Sequence, residues 1–162
     1  MSPYRVRPAT LDDADALVHH RLGMFIDMGT AIDAPDVERA FRAWLAEMMP
    51  AGVYHAWVVE RDVPAEAGTH VHIVAGGGIT VLPWPPGPYY VGGRIAFVYN
   101  VYTDRPHRRR GLARLLMDTI HTWCRDHGIR LVGLNASADG RPLYEALGYK
   151  PAAAPMMFVG LD

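Results

Sequence analysis

Cys124 is the only cysteine in this chain of 162 residues, so no internal disulfide can form, which suits a reducing compartment. Net charge is also missing: 16 basic residues stand against 17 acidic ones, a formal charge of −1. That balance argues against a general nucleic-acid binder, which shows itself as a basic domain. No apolar run approaches the ~18 residues that would span a bilayer. The N-terminal stretch Met1-Ser2-Pro3-Tyr4-Arg5-Val6-Arg7-Pro8 has no apolar core of the kind a signal peptide carries. A cytoplasmic protein with neither membrane nor nucleic acid as partner is therefore expected. No internal repeat and no linker interrupts the chain, so one domain over residues 1–162 is expected as well.

Two phosphate signatures are absent: the Gly-Lys-Ser/Thr of a Walker loop, and three spaced glycines directly after the first strand. Metal-ligand spacing is lacking too. His19-His20 and His70-x-His72 have no paired cysteine or carboxylate beside them, and no metal is expected. Nothing near Cys124 in sequence would lower its pKa, so it reads as a packing residue beside Trp123 rather than a nucleophile.

What the chain does hold is Arg108-Arg109-Arg110-Gly111-Leu112-Ala113. The segment follows an apolar strand-like run and opens an amphipathic helix. A helix start carries unpaired N–H groups and the positive end of the macrodipole, a natural anion site. Gly111 permits close approach of a phosphate to the backbone, and Ala113 keeps the next position small. Five arginines lie between Arg105 and Arg114 with no acid among them, so the cluster is a local feature of a balanced protein.

Periodicity predicts the surrounding elements. Tyr4 to Pro8 alternates as a strand. Thr10-Leu11-Asp12-Asp13 reads as a capping box that opens a helix with Ala14, Leu17, Val18, Leu22 and Phe25 on its apolar stripe, ended by Met28-Gly29-Thr30. A second helix runs from about Pro35 to Met49 with Val37, Phe41, Trp44, Leu45 and Met48 inward. Strands at about Val53–Arg61 and His70–Leu82 form a hairpin across the polar segment Asp62–Thr69, with Gly76-Gly77-Gly78 marking a bulge or bend. Pro83 to Pro88 is a stiff loop. The fourth strand is Arg94–Thr103, and the third helix reaches His127-Gly128. A strand at Arg130–Asn135 follows, parallel to the fourth because a helix joins them. A helix at about Gly140–Leu147 comes next, and the tail Tyr149–Val159 reads as one or two further strands. The fold class is α/β, a mixed sheet with helices on both faces and the phosphate segment at the carboxyl end of a strand.

Arg108, Gly111 and Ala113 match the spacing Arg/Gln-x-x-Gly-x-Gly/Ala. With Tyr99-Asn100-Val101-Tyr102-Thr103 before it, and Asn135-Ala136-Ser137 and Arg141 to Tyr149 after it, the chain resembles the GNAT superfamily of acyl-coenzyme A-dependent N-acyltransferases. The resemblance covers the whole order of elements. It implies a mostly antiparallel sheet whose parallel fourth and fifth strands splay around the cofactor. It also implies transfer of an acetyl group from acetyl-CoA to a primary amine of a small molecule or peptide, by direct attack and without a metal. A binding module of the same fold that senses acyl-CoA is the alternative. Dimers are common in the family, so a homodimer is an implied assembly.

The same resemblance assigns roles. Backbone groups of Arg109 to Ala113 would bind the pyrophosphate. Arg108, Arg110 or Arg114 would add charge-assisted contacts. Val101, Tyr102 and Thr103 would line the pantetheine arm, with a donor to the thioester oxygen near Val101. Tyr144 stands where the family's catalytic tyrosine does, as acid to the leaving thiolate. Asn135 either bonds the pantetheine or simply turns the chain after a strand. Several members carry a glutamate base on the fourth strand; here that strand has no carboxylate and the position is close to Phe97. Water, Glu60 or Tyr99 are the alternatives. The acceptor pocket would be walled by Met24, Phe25, Met28 and Gly29, by Trp84 to Tyr90, and by Tyr99, although these residues also read as a core lid and a rigid loop.

Overall fold

The computed structural model describes residues 2–65 and 68–161. Strand β1 (Tyr4–Pro8) leads through a 3-10 turn at Leu11–Asp13 into helix α1 (Ala14–Asp27), followed by α2 (Ala34–Met48). Strands β2 (Tyr54–Ala65), β3 (Gly68–Pro83) and β4 (Arg94–Thr103) come next, then α3 (Leu112–Asp126), β5 (Val132–Leu134) and α4 (Arg141–Ala146). The sheet has the order β1-β2-β3-β4-β5. Its first three junctions are antiparallel, and β4 runs parallel to β5 across α3.

Local chemistry sets the helix starts. Asp13 accepts from the Thr10 N–H at 2.8 Å, the acidic half of a capping box, and Asp33 caps α2 through the Asp36 N–H at 3.1 Å with Pro35 in the first turn. Arg7 donates to Asp13 at 2.7 and 2.9 Å and to Glu60 at 2.6 Å, fastening the start of α1 to the β1–β2 edge. The Arg7 guanidinium holds the Asp13 carboxyl below the usual carboxylate range.

Two cores flank the sheet. On one face α3 buries Leu112, Leu116, Met117, Ile120 and Cys124 against Val59, Ala75, Ile79, Ala96 and Val98. Each leucine, isoleucine, valine or methionine among them contributes about 1.5–3 kcal/mol when fully buried. On the other face, Leu17 and Val18 of α1 and Phe41 and Leu45 of α2 pack on Tyr54, Ala56 and Val58. Burial pushes the Cys124 thiol up to about 11, so it packs and does not react.

Three expectations need correction. The hairpin is tighter than the polar segment Asp62–Thr69 suggests, because the ladder continues through Val63↔His70 and Ala65↔Gly68; Glu66 and Ala67 lie outside the described residues. Cross-strand backbone bonding carries the β3 arm, whose side chains from Thr69 to His72 are exposed. Next, β5 is limited to Val132–Leu134 and α4 to six residues. Finally, the tail forms no strand among the described residues. Pro151 and Pro155 remove two donors, and the neighbouring edge strand offers only three residues for pairing. Met156, Met157, Phe158, Val159 and Leu161 are left 63–90% exposed.

Candidate active site

The candidate site grows from an irregularity in β4. Gly78 pairs with Tyr99 and Gly76 with Tyr102, so Asn100 and Val101 stand together opposite Gly77. The bulge expected at the three glycines thus has its extra residue on the facing strand. Asn100 adopts φ 60°, a left-handed conformation that asparagine tolerates better than most side chains. A bulge of this kind lifts backbone groups out of the ladder and re-aims side chains. Tyr99 and Asn100 both fall on the α1 face, while Val101 packs with the α3 core. β5 pairs with β4 only along Ala96–Val98, so from Tyr99 to Thr103 that edge of β4 has no strand beside it among the described residues.

Beneath the bulge runs a polar thread. Asn100 Nδ2 donates to the Tyr54 hydroxyl at 3.0 Å, and Arg21 Nη1 donates to Asn100 Oδ1 at 2.6 Å. Gly78 makes room for it, since a Cβ there would lie 2.3 Å from the Tyr54 oxygen. Burial pushes the Tyr54 phenol up to about 12. The Arg21 guanidinium lies 4.8 Å from the Phe41 ring centroid and 5.1 Å from that of Phe25. Beside the thread, His20 is buried against Gly76 and Tyr102 with neither ring nitrogen hydrogen-bonded, and desolvation pulls its pKa down to about 4.

The arginine loop continues from β4. A 3-10 turn at Arg105–His107 leads to Arg109 at φ 61° and Gly111 at φ 78°, two left-handed residues immediately before α3. The N–H groups from Arg109 to Arg114 donate to no backbone carbonyl among the described residues. They are unpaired donors at the positive end of a helix. Asp27 at the end of α1 binds Arg105 at 2.6 Å and also pairs with Arg108. These two cations hold its carboxyl below the ordinary range. Arg108 also donates from Nε to the Thr103 carbonyl at 2.8 Å and lies over the Tyr102 ring. Arg108 therefore ties the loop to β4 and α1, whereas Arg109, Arg110 and Arg114 have no ion-pair partner among the described residues. Leu112 is buried in the α3 core, so only its backbone faces the loop; Ala113 is half-buried.

Tyr144 is half-buried on α4, edge-on to Tyr149 with ring centroids 5.8 Å apart, and burial raises its phenol above the usual value. Tyr149 in turn hydrogen-bonds His121 at 2.7 Å. Asn135 is exposed one residue beyond β5. Met24 and Phe25 are half-buried near the end of α1, and Met28 is exposed at its cap. Of the base candidates, Glu60 is committed to Arg7 and Arg5 on the β1–β2 edge, two strands from β4, and is removed. Tyr99 stays beside the bulge, its phenol raised by burial and its ring 5.0 Å from Phe97. Among the described residues no three His, Cys, Asp or Glu groups come together as for a metal. Among the described residues no helix is long and apolar enough to cross a membrane.

Arg21, Asp27 and Asn100 were not singled out from the sequence, yet each left a signal. Asn100 is a poor strand former inside a strand pattern. Arg21 shares the helical stripe with Leu17 and Phe25. Asp27 places an anion at a helix C-terminus, where only a cationic partner makes it comfortable.

The family model of the acetyltransferase (GNAT) family matches residues 23–149, and the chain belongs to that family. Among solved structures it is similar to a GCN5-related N-acetyltransferase from Ralstonia eutropha, with 30% identity over 96% of this chain and 98% of that one and a TM-score of 0.81. A "predicted acetyltransferase" of Clostridium acetobutylicum solved with acetyl-CoA shares the fold at 23% identity, covering 96% of both chains, TM-score 0.76. So does glucosamine-6-phosphate N-acetyltransferase from Arabidopsis thaliana at 18% identity, covering 98% of this chain and 99% of that one, TM-score 0.67. No curated protein matches the chain by sequence.

Proposed function

We propose that the chain moves an acetyl group from acetyl-CoA to an amine of a small molecule or peptide, by direct attack with both substrates bound. The observation that carries this reading is continuity. The strand-free edge of β4 from Tyr99 to Thr103 leads directly into the unpaired N–H groups of Arg109 to Arg114. An extended arm ending in a diphosphate needs such a pairing edge and anion cradle in that order.

When bound, acetyl-CoA supplies an activated thioester. The backbone at the Asn100–Val101 bulge, freed from the ladder, donates to the thioester oxygen as negative charge grows there. Arg109, Arg110 and Arg114 contribute positive charge near the phosphates, and Arg108 keeps the loop in place. Tyr144, kept protonated by its half-buried setting, returns a proton to the departing sulfur. Water takes the proton of the attacking amine, with Tyr99 the nearest titratable side chain on the strand. The absence of any carboxylate on β4 is the observation that favours the second reading, an acyl-CoA sensor.

Acetyl-CoA at 100 times its Kd is expected to stabilise the fold by about 2.7 kcal/mol. A flat thermal titration, or an equal response from Gly111→Val, overturns the cofactor site. Tyr144→Phe should cut turnover about 10²-fold while leaving acetyl-CoA affinity nearly intact. Thiol release measured across an amine panel separates enzyme from sensor.

A further inference from the structure

Arg21 is a cation without an anion. Its guanidinium is half-buried between the Phe25 and Phe41 rings, and the one hydrogen bond it makes goes to a neutral oxygen, Asn100 Oδ1. No carboxylate lies within ion-pair distance among the described residues, and the titratable groups that face it, the Tyr54 and Tyr99 phenols, are kept neutral by burial. The contrast with Arg5, Arg7, Arg39, Arg42, Arg105, Arg108 and Arg141 is sharp, because each of those has an acidic partner. The Asn100 bond and the two rings hold the guanidinium in place, while four of its five N–H donors stay uncommitted to side chains and none of its nitrogens is both buried and unpartnered, so they remain open to a ligand. A planar fork in that condition suits a carboxylate or phosphate.

Position gives this charge a use. Arg21 touches Asn100, the bulge residue, and so approaches the candidate reaction centre from the α1 face. The phosphate-binding arginines lie further along, on the loop after β4. Tyr99 and Phe25 line the same region with aromatic surface, and the buried Phe41 ring lies against the guanidinium from the core side. We infer that the acceptor is an amine that also carries an anionic group, carboxylate or phosphate, and that Arg21 binds this group and directs the amine to the thioester. This inference rests on the acetyltransferase reading above.

The test compares acceptors that differ in the anion alone: glycine with glycinamide, phenylalanine with phenylalaninamide, and phosphoethanolamine with ethanolamine. Wild type should favour the anionic member of at least one pair by about tenfold or more in kcat/KM, the scale of a charge-assisted pair. The pair that shows the preference identifies carboxylate or phosphate. In Arg21→Gln the ratio should fall to near one, and Arg21→Lys should restore part of it. A purely structural brace for Asn100 would lower both members together and leave the ratio unchanged, which overturns the inference. A second measurement is independent of turnover: calorimetric titration of N-acetylglycine, N-acetylglycinamide and O-phospho-N-acetylethanolamine into the CoA-loaded protein. Tighter binding of an anionic ligand in wild type and not in Arg21→Gln supports the anchor; equal binding of all three overturns it. If no amine releases thiol, the acetyltransferase reading fails by itself, and the titration still decides the role of Arg21.

Discussion

On the α3 face of the sheet, thirteen buried residues form a core in which none is charged. On the α1 face the buried cluster has seven members, and beside it lie Asn100, His20 and Arg21, polar groups drawn in around one bulge. The first face is held by area removed from water, insensitive to pH and intolerant of lost volume. The second gives up dry packing for placement. Among the described residues four side-chain hydrogen bonds bind α1 to β4 and the segment after it: His19 to Asp104, Arg21 to Asn100, and Asp27 to both Arg105 and Arg108. The lesson is that α1 walls the candidate site around the β4 bulge, and α3 is the foundation beneath it.

The largest break in this contrast should come from the dry face. Leu116 is fully buried, and Leu116→Ala should cost about 2–5 kcal/mol in urea unfolding, with the same loss at pH 5 and pH 8. The α1 face should respond to acid instead. His20 titrates near 4 when folded and near 6.5 when unfolded, so the unfolded chain takes up its proton first as pH falls. Stability from this group is complete above about pH 6.5 and declines toward pH 4, by about 3 kcal/mol in all. His20→Leu should flatten that interval of the stability curve. An unchanged curve would mean that His20 is solvated.

Smaller effects sharpen the bulge itself. Asn100→Ala loses both hydrogen bonds and keeps a side chain at φ 60°, whereas Asn100→Gly loses the bonds and relieves the conformation. The alanine variant should be less stable than the glycine variant by about 1 kcal/mol in thermal denaturation. If the two are equal, the left-handed geometry is not maintained in solution. The smallest change belongs to the outer shell of the α3 face, where Tyr149→Phe removes the bond to His121 and should cost about 0.5 kcal/mol, the low end for a half-exposed neutral hydrogen bond.

Much of this was legible in the chain. The helical stripes of α1, α2 and α3 and the run Arg94–Thr103 gave their elements because one buried face imposes one period. The arginine–glycine segment marked the start of α3 and its unpaired N–H groups, because a glycine ahead of an amphipathic run reads as a helix start. What stayed hidden depends on partners distant in sequence. Nothing near Asp27 shows that Arg105 and Arg108 lie 78 and 81 residues away and will occupy it. Glu60 looked available until Arg7 claimed it. The tail misled because Met156-Met157-Phe158-Val159 has strand composition, while pairing also requires an open edge of matching length.

The alternation of β4 yields one more consequence. Val98 faces α3, Tyr99 faces α1, Val101 faces α3 and Tyr102 faces α1; with Asn100 struck out, the strand would alternate perfectly. Gly77 would then gain Val101 as an ordinary partner. Asn100 is thus an insertion that the architecture does not require. A chain lacking it should assemble the same sheet with a smoother ladder, and would have lost the single interruption around which the site is arranged.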